Sequence, residues 1–351
     1  MMLDGKGRLL VLLIITQVIL IVLEFLFTPF LPPQMIRIDW EDEERIDTPL
    51  VPVYIRVLSI DDVTYLFYTA NDPDPGNRSL FHMMNDGGGW SEPTKIQLSV
   101  PPYRSFDCAF DATIDEIHIF YCARTEQGLR TYTTKGRLEE LGTVEPLTVG
   151  RHWGQYYTTG PIKYSAFFAK NGTQYLAYCY LSGATENANT VLLQTCEAGE
   201  WNGPVRVGTG NSPSALQASD GEVIIYSNLW TLVPGPQHVV DEWHVEDGKW
   251  KMTELTVTAE DSNVDPFVIE DRKGTRFLLY DHRKHTPEYD NDRVVIHSKR
   301  EGEGWSNFDV IWKGGDEWSL DDVCATIEGS TIMVYWVSEG QLYSMKGTIQ
   351  C

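Results

Sequence analysis

The sequence predicts an all-β protein: a six-bladed β-propeller closed by an N-terminal strand and preceded by one transmembrane helix. Three observations predict the ring. A tyrosine recurs at positions 68, 121, 178, 226, 280 and 335, each time ending a β-type run (VTYLFY, IHIFY, TQYLAY, EVIIY, RFLLY, TIMVY). The gaps are 53, 57, 48, 54 and 55 residues, the period of one propeller blade built from short strands. The last repeat stops at QLYSMKGTIQ without a fourth strand, while WEDEERIDTPL near the N-terminus reads as that strand.

Each blade can be filled in from its neighbours. Before the tyrosine run lies a first strand, then a polar turn such as ID-D, NG, DG or KG, as a tight hairpin requires. After it comes a third strand, such as TVLLQTC or RVVIHSK, and then a tryptophan opening the fourth. The tryptophans are Trp90, Trp201, Trp250 and Trp305, and blade two lacks one. Trp40 and Ile46 match Trp90 and Ile96 in spacing, so residues near Trp40 to Leu50 are expected to complete blade six. Such closure removes exposed strand edges. The recurring aromatics read as packing residues in the wedge between blades, with their polar tips bonded at the rim. Past residue 35 no long stretch has helical periodicity.

The first 35 residues differ. Leu9 to Phe27 is apolar apart from Thr16, Gln17 and Glu24, about the length that crosses a hydrocarbon core. Lys6 and Arg8 precede it and acidic residues follow, which places the N-terminus in the cytoplasm and the propeller outside. A cleaved signal peptide is the competing reading, but no small-x-small cleavage site precedes FTPFLPPQ. The expected organisation is a tail over residues 1–8, a signal anchor over 9–27, a spacer over 28–39 and the propeller over 40–351. The chain is then a single-pass type II membrane protein with an extracellular or lumenal ring.

All six cysteines fall in the ring. Cys108 with Cys122, Cys179 with Cys196 and Cys324 with Cys351 are each local to one blade, so three disulfides are expected, with connectivity left open. No zinc-type Cys/His spacing occurs. Asn77-Arg-Ser and Asn171-Gly-Thr match the N-glycosylation pattern. A net charge of −22 argues against nucleic acid and anionic membrane surfaces as partners.

The candidate site is the start of each first strand, where innermost strands meet at one end of the central channel. Aligned on the tyrosine, this position holds Asp107, Tyr164, Ser212, Asp321 and, shifted by one, Asp265. Three carboxylates in one funnel are costly unless protonated, hydrated or metal-bound. Paired carboxylates serve glycoside hydrolysis, and an oxygen-rich cluster equally suits Ca2+. Alternatively, these side chains cap strand ends or bond backbone amides. Tyr103 and Arg104 would add a stacking face or a clamp. No nucleophile–histidine triad or phosphate loop is recognisable, and no cofactor is expected beyond Ca2+.

Two segments carry resemblances. GGGWSEPTKI with Asn85-Asp86 before it, and SKREGEGWS with Ser298, Gly302 and Trp305, resemble the turn of the sialidase-type repeat S-x-D-x-G-x-x-W. Met83 and Arg300 depart from it at the serine and aspartate positions. The resemblance implies a six-bladed sialidase-like propeller over roughly residues 40–351. It also implies an arginine clamp for a carboxylate, for which Arg56, Arg104 and Arg283 are available, and a tyrosine–glutamate nucleophile. NVDPFVIEDRKGTRFLLY is similar to a strand pair of furanosidase-type glycosidases, which implies a functional role for Asp265; that family's EGP-type glutamate segment is not found. The expected function is binding or hydrolysis of a glycan or glycoprotein. A non-enzymatic adhesion ectodomain is the alternative, and a broad exposed apolar patch would mark it.

Overall fold

The computed structural model describes Gln17 and residues 36–71, 78–103, 105–126, 128–147, 161–181, 189–231, 237–255, 261–284, 292–300, 302–314 and 320–350. The expected anchor over residues 9–27 lies outside them. Among the described residues no helix is long and apolar enough to cross a membrane.

Six antiparallel blades follow one another along the chain, and blades four and five are joined into one sheet by a parallel bridge between His238 and Ser262. Blade one pairs Pro52–Ile60, Val63–Asn71, Arg78–Asn85 and Thr94–Ile96. Blade two pairs Phe106–Asp111, Glu116–Thr125, Gly128–Gly136 and Val144–Leu147. Blade three has Pro161–Phe168, Gln174–Leu181, Asn189–Glu197 and Val205–Thr209. Blade four has Asn211–Gln217, Val223–Thr231, Gln237–Glu246 and Lys249–Glu254. Blade five has Asp261–Glu270, Arg276–Lys284, Asp292–Lys299 and Asp309–Lys313. Blade six has Leu320–Glu328, Thr331–Ser338 and Gln341–Ile349. Its outer edge is supplied by Ile38–Trp40 and Glu44–Ile46, both antiparallel to Gln341–Ile349. The closing strand therefore begins two residues before Trp40. The ring is the all-β, six-bladed propeller that the tyrosine period predicts.

The repeated aromatics build the wedges between blades. All six tyrosines are buried. Trp90 packs edge-on against Tyr335, Trp201 against Phe120 and Trp305 against Tyr226. In each case the tryptophan of one blade meets an aromatic on the second strand of the blade before it. Edge-to-face pairs of this kind are worth about 1 kcal/mol beyond their area. Three of the tyrosine tips are bonded inside their own blades, while the Tyr121 hydroxyl donates to the Val100 carbonyl in the loop before blade two. The hydroxyls of Tyr178 and Tyr226 donate to Gln194 and Glu242 on the third strand of their own blades, and Tyr280 bonds His297 in the same way, at 2.7 Å. A phenol this deep needs a polar partner, and the third strand is the nearest element that can offer one.

The expected disulfides do not form. Cys108, Cys122, Cys179, Cys196 and Cys324 are free thiols, and Cys351 lies outside the described residues. Register explains this. Cys108 stands opposite Ile119, three residues short of Cys122, a separation of about 10 Å along a strand. Cys179 stands opposite Val191, five residues from Cys196, or about 17 Å. A disulfide tolerates no more than about 7 Å between Cα atoms. Burial pushes the Cys108, Cys179 and Cys324 thiols up, so they stay protonated and inert.

The strands define two ends of the ring. At the site face the first strands begin and the second strands end, as Pro52 opposite Ala70 shows in blade one. At the opposite, turn face, short hairpins join first strands to second, such as Asp61-Asp62 and Gly329-Ser330.

Candidate functional site

The first strands are innermost and so present one unpaired edge to the channel, whose backbone amides need partners. Polar side chains of neighbouring first strands supply them. Asp322 Oδ2 accepts the Ile55 amide at 3.0 Å, bridging blade six to blade one. Asp107 Oδ2 accepts the Ala166 amide at 2.6 Å, from blade two to three. Ser165 Oγ accepts the Ala215 amide and Ser214 Oγ the Val268 amide, carrying the pattern to blades four and five.

Arg56 ties the two aspartates together. Its Nε lies 2.8 Å from Asp107 Oδ1 and its Nη1 2.8 Å from Asp322 Oδ2. The three side chains are almost wholly buried, at 12%, 10% and 3% exposure. Burial would lower the Arg56 pKa, but two carboxylates outweigh it and hold the guanidinium above its ordinary value. Asp107 responds the other way. Burial pushes it up to about 6, against the opposing pull of Arg56 and the Ala166 amide. One cation shared by two anions accounts for the asymmetry.

Lys163 and Asp265 form the second group. The Lys163 ammonium lies 2.6 Å from Asp265 Oδ1, with side chains 17% and 27% exposed. Lys163 belongs to blade three and Asp265 to blade five, so the pair spans the axis past blade four. The ammonium also sits 5.7 Å from the centre of the Tyr54 ring of blade one. Burial opposes the Lys163 charge, but Asp265, Asp322 and Tyr54 together raise its pKa. The backbone of Asp265 is left-handed, with φ 54°, and is followed by Pro266 at a break in register between Val264 and Phe267. Ser212-Pro213 repeats this bulge in blade four with φ 47°. A non-glycine residue held there is a strained position, of the kind that clusters at binding sites.

The structure thus brings together Arg56, Asp107 and Asp265 of the residues singled out from the sequence. Asp321 is exposed at the start of its strand, and its neighbour Asp322 occupies the cluster. Counting back from the tyrosine assumes equal hairpins. Blade two turns through Ala112 to Asp115, whereas blade six turns through Gly329-Ser330 and carries a bulge between Leu320 and Asp322. Tyr164 is buried and its hydroxyl bonds Thr131, so it supports the ring from inside. Tyr103 bonds the Cys122 carbonyl through its amide and lies 5.8 Å from the Arg124 guanidinium. Arg104, Asn77 and the Arg283 side chain lie outside the described residues. Asn171 is exposed in its hairpin turn, where its Oδ1 accepts the Thr173 amide. Lys163 and Asp322 were missed. A lone lysine inside the apolar strand PIKYSAFF was the available signal for the first.

A tyrosine–glutamate pair of the kind sialidases use does exist, in Tyr226 and Glu242. It is buried between blades four and five, with Trp305 and Lys299 as further donors to Glu242. Burial and then Glu242 push the Tyr226 pKa well up, the direction opposite to activation of a nucleophile. Among the described residues no group of His, Cys, Asp and Glu is arranged to hold a metal ion.

The fold and axial cluster define a six-bladed propeller with a charged, latched axis. A protein of unknown function from Dyadobacter fermentans superposes with a TM-score of 0.69 at 12% identity, over 89% of this chain and 99% of that one. An α-L-arabinanase of Penicillium chrysogenum, complexed with arabinobiose, gives 0.58 at 10% identity over 91% and 98%. A PL25 ulvan lyase with a bound saccharide gives 0.51 at 11% identity over 83% and 82%. At these identities the likeness is one of fold. No protein-family model matches the chain, so the sialidase-type repeat gains no support. No curated protein matches it in sequence.

Proposed function

We propose that this protein binds glycans at the site face of its propeller, with Lys163 and Asp265 contacting the sugar and Tyr54 beside them. The observation that carries the reading is the division of labour on the axis. Asp107 and Asp322 are occupied by Arg56 and by backbone amides, whereas Lys163 and Asp265 are the more exposed pair. An ammonium and a carboxylate side by side suit sugar hydroxyls, one donating and the other accepting. Hydrolysis by two carboxylates would need a second one free to meet the glycosidic oxygen. Asp107 and Asp322 do not offer that, so binding is favoured over turnover. The architecture shared with saccharide-bound arabinanase and ulvan lyase supports the substrate class. The large apolar side chains that are exposed are scattered, in Val51, Ile114, Val205, Val245, Met252 and Phe308. Val245 and Met252 neighbour each other on the outer strands of blade four and the others fall one to a blade, which favours this reading over an adhesion module. The apolar run over residues 9–27 supports anchoring to a membrane with the ring outside the cytoplasm, where Asn171 is open to glycosylation. Ca2+ is not required by this reading.

The test is incubation of the full-length protein in detergent micelles with a mixed glycan library, followed by mass spectrometry of the bound and free pools. Enrichment without shortening, lost in Lys163→Ala and in Asp265→Asn, is the expected result. Shortened glycans would make the protein a glycosidase instead. No enrichment in the wild type would remove the glycan reading.

A further inference from the structure

We infer that the face carrying Lys163 and Asp265 points away from the bilayer to which the chain is anchored, so that it meets glycans borne elsewhere and not the headgroups of its own membrane. This rests on the proposed anchor over residues 9–27. The direction itself follows from strand register. The chain joins the ring as the outer edge of blade six, with Ile38 opposite Ile349 and Ile46 opposite Leu342. Ile349 is at the turn face, where its amide donates to the Ser330 carbonyl of the blade-six hairpin at 2.7 Å. The Gln350 amide donates to the Arg37 carbonyl at the same end. The N-terminal segment therefore reaches the propeller on the turn face, and the axial pair opens on the other.

The length of the spacer keeps it so. Eight residues separate Phe27 from Ile36. Fully extended they span about 28 Å. The edge from Ile38 to Ile46 runs beside Leu342 to Ile349 of the partner strand, about 23 Å of height. Bringing the site face onto the bilayer would require the spacer to run the whole height of that edge, using most of its extended length. The turn face instead needs almost none of it. That face is also acidic, through Asp61, Asp62, Asp220 and Asp247, all exposed, so it stands off from anionic headgroups without inserting.

The experiment uses the full chain in vesicles that contain a nitroxide-headgroup lipid as quencher. Single cysteines are placed at exposed positions, Lys273→Cys and Ser330→Cys on the turn face, Val51→Cys and Asn71→Cys on the site face, in a chain carrying Cys196→Ser and Cys351→Ser. Each is labelled with a fluorophore. Quenching is expected to be stronger at Lys273 and Ser330 than at Val51 and Asn71. Equal quenching at the two faces, or stronger quenching at Val51 and Asn71, overturns the orientation. Flotation of the same vesicles reports separately on the anchor: a protein that stays behind overturns the anchor, and this inference with it.

Discussion

At the residue scale the axis is governed by one guanidinium between two carboxylates. Removing Arg56 leaves Asp107 and Asp322 buried beside each other without a cation. Arg56→Ala is expected to cost about 3–5 kcal/mol in urea unfolding, the usual loss when a buried pair is broken from one side. Arg56→Lys should fall between that variant and the wild type, because a point charge cannot reach both partners with the geometry of the fork. Asp107 adds a pH signature. Its pKa is raised in the folded chain, to about 6 from an ordinary 3.8. Between those values the native state holds a proton that the unfolded chain has released, so stability falls as pH rises through this window. The change attributable to Asp107 is at most about 3 kcal/mol. Against Asp107→Asn, which cannot titrate, the wild type should lose relative stability from pH 4 to pH 6 and then level off. A flat or rising difference over that window would show that Arg56 and the Ala166 amide overcome the effect of burial.

At the element scale the blades are joined by two repeated devices, and they differ in how visible they are in the sequence. The tryptophan after each third strand is obvious by spacing, and its docking on the preceding blade follows from the wedge. Trp201 and Trp305 have the same edge-on contact, but only Trp305 also donates its indole N–H, to Glu242 at 3.0 Å. Trp305→Phe should therefore destabilise by about 1–3 kcal/mol more than Trp201→Phe, the penalty for a charged group losing a donor in a buried site. Thermal melts of the two variants check this, and equal losses would assign both tryptophans to packing alone. The polar latches between first strands are far less legible. Ser165, Ser214, Asp107 and Asp322 do the same work from positions that are not in one fixed register with their tyrosines, because hairpin length and bulges vary from blade to blade. An alignment by spacing finds the strands reliably and then misses register by a residue, which is how Asp321 stood in for Asp322. Disulfides failed for the same reason. Two cysteines on adjacent strands look close in sequence, yet a slip of three or five positions along a strand puts them beyond bonding distance.

At the scale of the whole molecule the ring depends on eleven residues at its N-terminal edge. Ile36, Ile38 and Trp40 pack with Val294, Ile296 and Trp336 between blades five and six. Ile46 joins Tyr335 and Leu342 in the next cluster, between blades six and one. The closing strand thus buries apolar side chains on both sides of blade six while its backbone pairs with Gln341–Ile349. A chain beginning at Asp47 would lose both contributions. It would also expose Gln341–Ile349 as a nine-residue strand edge. Such an edge is a template for pairing with another chain. With a net charge of −22 the intact protein repels its own copies, and that repulsion weakens with salt as the Debye length shortens. The shortened chain is therefore expected to self-associate in a salt-dependent way, with sedimentation shifting to larger species as salt rises. A protein that starts at Ile36 should stay monodisperse over the same range. Monodisperse behaviour of both would mean that blade six holds without its fourth strand, and that the ring is closed by the packing of its inner strands alone.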